Sequence, residues 1–202
     1  MKCAVVLAHP KATSFCASLA RACVDSLTAA GHAVLLRDLY AMDFDPRLRA
    51  DELPSDSGFR PAPDVVRERE LLAEADLFVF VYPFWFNAPP AILKGYVDRV
   101  FGMKFGYAAD FGGSKPLLVG RKLLTFSTSG APDHWVNSTG ALKALMAVFD
   151  NHVAAVCGLT VADHVHFGGI HSLLADEAAA DMLDQVRARV AEAAATATSC
   201  PT

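Results

Sequence analysis

Short apolar runs rich in valine, leucine and phenylalanine alternate with segments of helical period five times along this chain. Cys3–Ala8, Ala33–Arg37, Leu77–Tyr82, Lys122–Ser127 and Val153–Cys157 read as strands, with Thr160–Phe167 continuing or following the fifth. Ser14–Ala30, Asp64–Ala75, Pro90–Phe101, Ser138–Asn151 and Leu173–Ala195 read as helices. Strands that alternate with helices predict a parallel sheet wound on both faces. A chain of 202 residues fits one such domain, residues 1–202, with a frayed tail at 196–202. The apolar fraction, 53%, suits strands covered on both faces.

Two stretches interrupt the pattern. Asp38–Pro63 holds four prolines and many charges and is expected to be a long irregular excursion; Gly102–Gly120 is a second one. The turn after the first strand lacks G-x-G-x-x-G, so the dinucleotide fingerprint of a Rossmann fold is missing. The expected class is therefore α/β, a flavodoxin-like doubly wound five-stranded parallel sheet of order 2-1-3-4-5. Formal net charge is −4 and no basic run occurs, which argues against nucleic acid as a partner. No apolar run reaches 18 residues, so membrane insertion is not expected. The first strand starts at the N-terminus, leaving no room for a secretory leader. Five cysteines, an odd number without C-x-x-C, read as reduced thiols in a cytoplasmic protein.

Three turns at strand ends carry chemistry. The first, His9-Pro10-Lys11-Ala12-Thr13-Ser14-Phe15, puts hydroxyls at a helix N-terminus, where backbone N–H groups and partial positive charge favour phosphate. Simple capping by Ser14 is the plainer alternative. The second is Pro83–Pro89, directly after an apolar strand. Phe84, Trp85 and Phe86 offer walls for a large planar ring, and a flavin is the ring expected. The third, Ser127-Thr128-Ser129-Gly130, has small residues that let backbone approach a ligand edge. Asp98 and Arg99 are expected to be structural. His164, His166 and His171, with Asp163, lack a convincing metal-ligand set, and no metal site is expected. The strand setting puts His164 and His166 on one face.

On these segments the chain resembles the NAD(P)H:quinone oxidoreductase family, the DT-diaphorase-like branch of flavodoxin-fold proteins. The resemblance is carried by His9…Thr13-Ser14-Phe15, by Asp38–Pro46, by Pro83–Phe101 and by Ser127–Gly130, in the family's order. It implies a homodimer that binds FAD, with FMN the alternative. It implies two-electron, ping-pong hydride transfer from NADH or NADPH through the flavin to quinones, with azo or nitroaromatic acceptors possible. By resemblance, His9, Thr13, Ser14 and Phe15 fall on pyrophosphate-side contacts, and Pro83, Phe84, Trp85 and Phe86 on the isoalloxazine loop. Ser127, Thr128, Ser129 and Gly130 fall on the pyrimidine side. Phe86, Asn87 and Tyr107 fall on the substrate pocket, Tyr107 reaching in from the partner subunit.

The chain departs from the family after the fourth strand. Trp135 stands where the family carries a tyrosine and Ala141 where it carries a histidine; His134, next to Trp135, is the candidate substitute. Trp135 and His134 are thus the candidate catalytic pair. Cys16 replaces a family asparagine, and the 47–63 excursion is shorter. The loss of the Tyr/His pair keeps a second reading open, a flavin-binding accessory subunit of a transporter or oxygenase with low turnover. A one-electron carrier is a third, disfavoured by the modest charge.

Overall fold

The computed structural model describes residues 1–53 and 58–195; the tail 196–202, with Cys200, lies outside the described residues. Five parallel strands form the sheet: β1 (Lys2–Leu7), β2 (Ala33–Asp38), β3 (Leu77–Pro83), β6 (Lys122–Thr128) and β7 (Thr160–Phe167). β4 (Tyr107–Asp110) and β5 (Gly113–Pro116) make a separate antiparallel hairpin. The sheet runs β2-β1-β3-β6-β7, the expected 2-1-3-4-5 order once the hairpin is set aside.

Side chains alternate across the pleat and fill two cores. Cys3, Val5 and Leu7 of β1 and Leu77, Val79 and Val81 of β3 face one side. There they meet α1 (Phe15–Ala29) and α7 (Asp176–Ala195), which contribute Leu19, Cys23, Leu27, Val186 and Val190. Phe78, Phe80 and Tyr82 of β3 face the other side. That face is covered by α2 (Pro63–Leu72), α3 (Ala91–Val100) and the run α4 (Asp133–Ser138), α5 (Ala141–Val148) and α6 (Asp150–Cys157). Every residue of β3 is buried, as a central strand covered on both faces must be. The chain leaves β1 toward one face and β3 toward the other. A crevice therefore opens between their carboxyl ends, the switch point where such sheets take ligands.

Two expectations are corrected. Val153–Cys157 is not the fifth strand but the end of α6, and β7 alone fills that place in the sheet. A short apolar run cannot be told from a buried helical turn by period. Here Val153, Ala154 and Cys157 are buried at helical spacing, and Gly158 closes the helix with φ +80°. The single helix expected over Ser138–Asn151 is likewise two. α5 begins after Gly140 (φ +72°), and Phe149, at φ −117° and ψ −74°, separates it from α6.

The first excursion is held by charge. Arg99 of α3 is 2% exposed. Its Nε and Nη2 donate to Glu52, its Nη1 and Nη2 to Asp64, and its Nη1 to the Asp45 carbonyl at 2.6 Å. Burial works against ionised Glu52 and Asp64, but the Arg99 hydrogen bonds prevail and hold both carboxyls below the usual range. Pro46 lies on Gly95 of α3, where any Cβ would sit 2.1 Å from the Pro46 carbonyl oxygen. Arg99 is structural, as the sequence implied.

Candidate functional site

The three expected turns meet at the carboxyl edge of β1, β3 and β6. The first is seated by Ala8 N–H, which donates to Val81 O at 2.9 Å. His9 Nδ1 then accepts from Lys11 N–H at 3.0 Å and bends the chain toward α1. Ser14 caps the helix: it is extended at φ −71° and ψ 160°, and its hydroxyl accepts from Ala17 N–H at 3.2 Å. The plain capping role is therefore present. It leaves Thr13 exposed beside a fifteen-residue helix whose first turn contains no acidic residue to oppose an anion.

The second turn is tighter than a generic loop. Trp85 and Ala88 exchange backbone hydrogen bonds at 3.2 and 3.0 Å, leaving Phe86 and Asn87 as a two-residue connection. Both have positive φ, +48° and +56°, the geometry of a type I′ turn. A phenylalanine seldom adopts that conformation, and backbone strain of this kind clusters at functional sites. The turn sends its three aromatics to different places. Phe84 is buried, edge-on to the His166 ring at 5.6 Å, while Phe86 points fully into solvent. Trp85 is 44% exposed, and its ring centroid is 5.6 Å from that of His9.

The third turn is bonded to both neighbours. Pro83 pairs with Thr128, and Phe84 N–H donates to Thr128 O at 2.6 Å. Thr128 Oγ1 lies 3.2 Å from Cys16 Sγ, whose thiol is pushed up to about 11 by burial. Cys16 is an inert packing residue at this position. On the other side Ser129 N–H donates to Phe167 O, Ile170 N–H to Ser129 O, and Gly169 N–H to Ala131 O. Gly168 N–H donates to Asp133 Oδ1 at 2.6 Å.

Between the first turn and Trp85 lies a cleft of about 580 Å³, lined by His9, Thr13, Ser14, Phe15, Trp85 and His171 among others. Its far wall is Ile170–Leu174, which the sequence reading left out. A signal was available: Gly168-Gly169 follows the β-branched run Thr160–Phe167, a turn at the same sheet edge. Assigning the fifth strand to Val153–Cys157 hid it. His134 and Trp135 are exposed on α4, next to the third turn in sequence. Tyr107 lies elsewhere. It lines a 180 Å³ pocket with Arg69, Arg99 and Met103 and a 170 Å³ pocket with His152 and Val156, and does not line the cleft. Among the described residues, no group of three or more His, Cys, Asp or Glu is arranged to hold a metal ion.

Burial pushes His166 down to about 4, beyond what nearby Asp133 restores. The sign follows from linkage. The unfolded chain takes up this proton first as pH falls, so the contribution is whole above about pH 6.5 and lost on the way down to about 4. We expect the thermal midpoint to fall across that window and His166→Gln to flatten the fall, as read by calorimetry at several pH values.

The flavodoxin-like fold family model matches residues 1–190. The chain belongs to the flavodoxin-like fold family. A Haemophilus influenzae member carrying the name "Uncharacterized NAD(P)H oxidoreductase" is 34% identical over 182 residues, 89% of each chain. The human "Ribosyldihydronicotinamide dehydrogenase [quinone]" is 32% identical over 158 residues, 69% of this chain and 68% of that one. Among solved structures, the NAD(P)H:quinone oxidoreductase of Methanothermobacter marburgensis superposes with a TM-score of 0.82 at 25% identity, covering 94% of this chain and 97% of that one. The flavodoxin-like fold, expected from the alternation and the absent G-x-G-x-x-G, is thus found in the family match, and the expected strand order in the topology.

Proposed function

We propose that the protein is a flavin-dependent NAD(P)H:quinone oxidoreductase. The observation that carries this reading is the convergence of three turns on one sheet edge, with a half-exposed Trp85 beside a helix N-terminus. The donor set suits a flavin nucleotide: Thr13, Ser14 and the first amides of α1 for phosphate, and His9 beside them. When bound, the flavin supplies hydride chemistry, taking two electrons from NADH or NADPH and passing them to a quinone.

The chain's own residues bind and orient. Trp85 and the backbone of Pro83, Phe84 and Phe86 wall the ring, and at its rim Phe86 offers apolar surface and Asn87 an amide. In the third turn Gly130 is exposed toward the opposite edge, while Ser127, Thr128 and Ser129 are buried behind it and hold the turn in place. By the resemblance, Trp135 and His134 are the candidate catalytic pair, and Tyr107 serves the pocket of a partner copy. Ser172 and Leu174 belong to the far wall of the same cleft. By the resemblance we favour FAD, with FMN the alternative. A homodimer is the assembly that the resemblance implies. Among the described residues no helix is long and apolar enough to cross a membrane.

The test is steady-state kinetics with NADH or NADPH and a benzoquinone after loading with FAD or FMN. Parallel double-reciprocal lines and a rate well above that of free flavin are expected. A protein that holds flavin but turns over no faster than free flavin overturns the assignment and restores the accessory-subunit reading. Trp85→Ala is expected to weaken flavin binding about tenfold, since an aromatic contact contributes roughly 0.5–1.5 kcal/mol beyond area. Stability should hardly change, because Trp85 is half-exposed. Fluorescence titration and thermal melts check both.

A further inference from the structure

Behind the third turn a line of hydrogen bonds runs through the interior. Asp150 Oδ2 lies 2.9 Å from His164 Nδ1, and His164 Nε2 lies 2.7 Å from Ser127 Oγ. Ser127 Oγ is 2.8 Å from His166 Nδ1, and His166 Nε2 is 2.9 Å from Ser129 Oγ. The Ser129 hydroxyl ends the line on the Ala131 carbonyl at 2.8 Å. Thr125 donates its own proton to the other Asp150 oxygen at 2.5 Å. Asp150, Ser127 and His164 are buried.

Counting protons exposes a deficit. The line has five contacts, and each needs one proton. Its two ends, a carboxylate and a carbonyl, only accept. Neutral side chains bring four protons, one each from His164, Ser127, His166 and Ser129. One contact would then set two lone pairs against each other in a low-dielectric interior, where an unmade bond costs most.

We infer that the line carries a fifth proton, held as an ion pair of His164 imidazolium and Asp150 carboxylate, and that this pair positions the Ser127–Ala131 turn. With the proton there, every donation runs one way. His164 Nδ1–H goes to Asp150 and Nε2–H to Ser127. The Ser127 hydroxyl donates to His166 Nδ1, His166 Nε2–H to Ser129, and the Ser129 hydroxyl to Ala131 O. His166 is left neutral, in keeping with the burial that pushes it down. Asp150, in contact with His164, selects that ring as the holder.

The other groups that face the line fit this assignment. Asp163 accepts from the His164 backbone N–H, and Asp133 lies near His166. The Tyr82 ring is 6.4 Å from the His164 ring, and its buried hydroxyl has no hydrogen-bond partner among the described residues, so it does not supply the missing proton. The consequence for a ligand rests on the proposed flavin reading; the proton count does not. His164, Ser127 and Asp150 act here as positioning residues.

Nitrogen-15 NMR of the histidine rings in the flavin-free protein at pH 7.5 tests the count. His164 should show two protonated ring nitrogens and His166 only Nε2–H. A single protonated nitrogen on His164 overturns the proposal. Asp150→Asn supplies an N–H to His164 Nδ1, replacing the fifth proton without charge. It should leave His164 neutral with Nε2–H and keep flavin affinity within threefold of wild type. Asp150→Ala should weaken affinity about tenfold, and an unchanged affinity overturns the positioning role. If Asp150→Ala does not fold, Ser127→Ala breaks the same line, with the same two outcomes. Failure of the wild-type protein to bind any flavin would instead strike the proposed function and leave the ring-nitrogen result standing.

Discussion

Arg99→Ala should lower stability by about 3–5 kcal/mol, the cost of removing one partner from a buried ion pair. The side chain sits at the centre of a cluster, with Glu52 5% exposed and no longer compensated once the guanidinium is gone. It also carries the Asp45 carbonyl and Asp64, so three separate segments lose a common partner. For a domain this size the melting point should fall by roughly 6–20 °C. Arg99→Lys should recover only part of this, because one ammonium cannot span both carboxylates and the carbonyl. Differential scanning calorimetry distinguishes the outcomes. A shift under about 2 °C for Arg99→Ala would mean that the excursion is held by packing such as Pro46 on Gly95.

Gly168→Ala should cripple the site while leaving most of the molecule folded. A Cβ there would lie 2.4 Å from the Asp133 amide nitrogen and 2.7 Å from both Ala131 O and Asp133 Oδ1. Backbone atoms cannot step aside as a flexible side chain does, so the exit of β7 and the third turn must separate. Overpacking of this kind costs about 1–3 kcal/mol. The same shift breaks the contacts that seat Ser129 against Phe167 and Ile170. Flavin affinity is expected to fall about five- to 150-fold, by the same energy read as binding. Gly113→Ala is the control: nothing lies within 4 Å of a Cβ there and no positive φ is involved. If Gly168→Ala binds flavin as Gly113→Ala does, the third turn contributes nothing to the site.

The fold was legible because its signals are local and repeated. The alternation of apolar runs and helical segments gave four of the five strands, and the absent G-x-G-x-x-G selected the strand order. Val153–Cys157 misled for a definite reason: five apolar residues carry no period that separates strand from helix, and Gly158 marks the end of either. The hairpin β4–β5 was missed because Gly112-Gly113 sits in a stretch without clear alternation. At the site, the turns at His9–Phe15, Pro83–Pro89 and Ser127–Gly130 could be placed, since small, aromatic and hydroxyl residues cluster after strands. The partners across the sheet could not. The link of Cys16 to Thr128, and of Ser127 to Asp150 through His164, joins residues far apart in the chain. His164 and His166 showed only that they share a face. The positive φ at Phe86 and Asn87 had no warning either, because an Asn favours it and a Phe does not.

The most direct test of the account is a crystal structure of the protein grown with excess FAD or FMN. The isoalloxazine ring is expected against Trp85 between the second and third turns, with the phosphate at the Thr13–Ser14 end of α1. Electron density for a flavin elsewhere, or an edge filled by the chain's own side chains with no flavin bound, would contradict it.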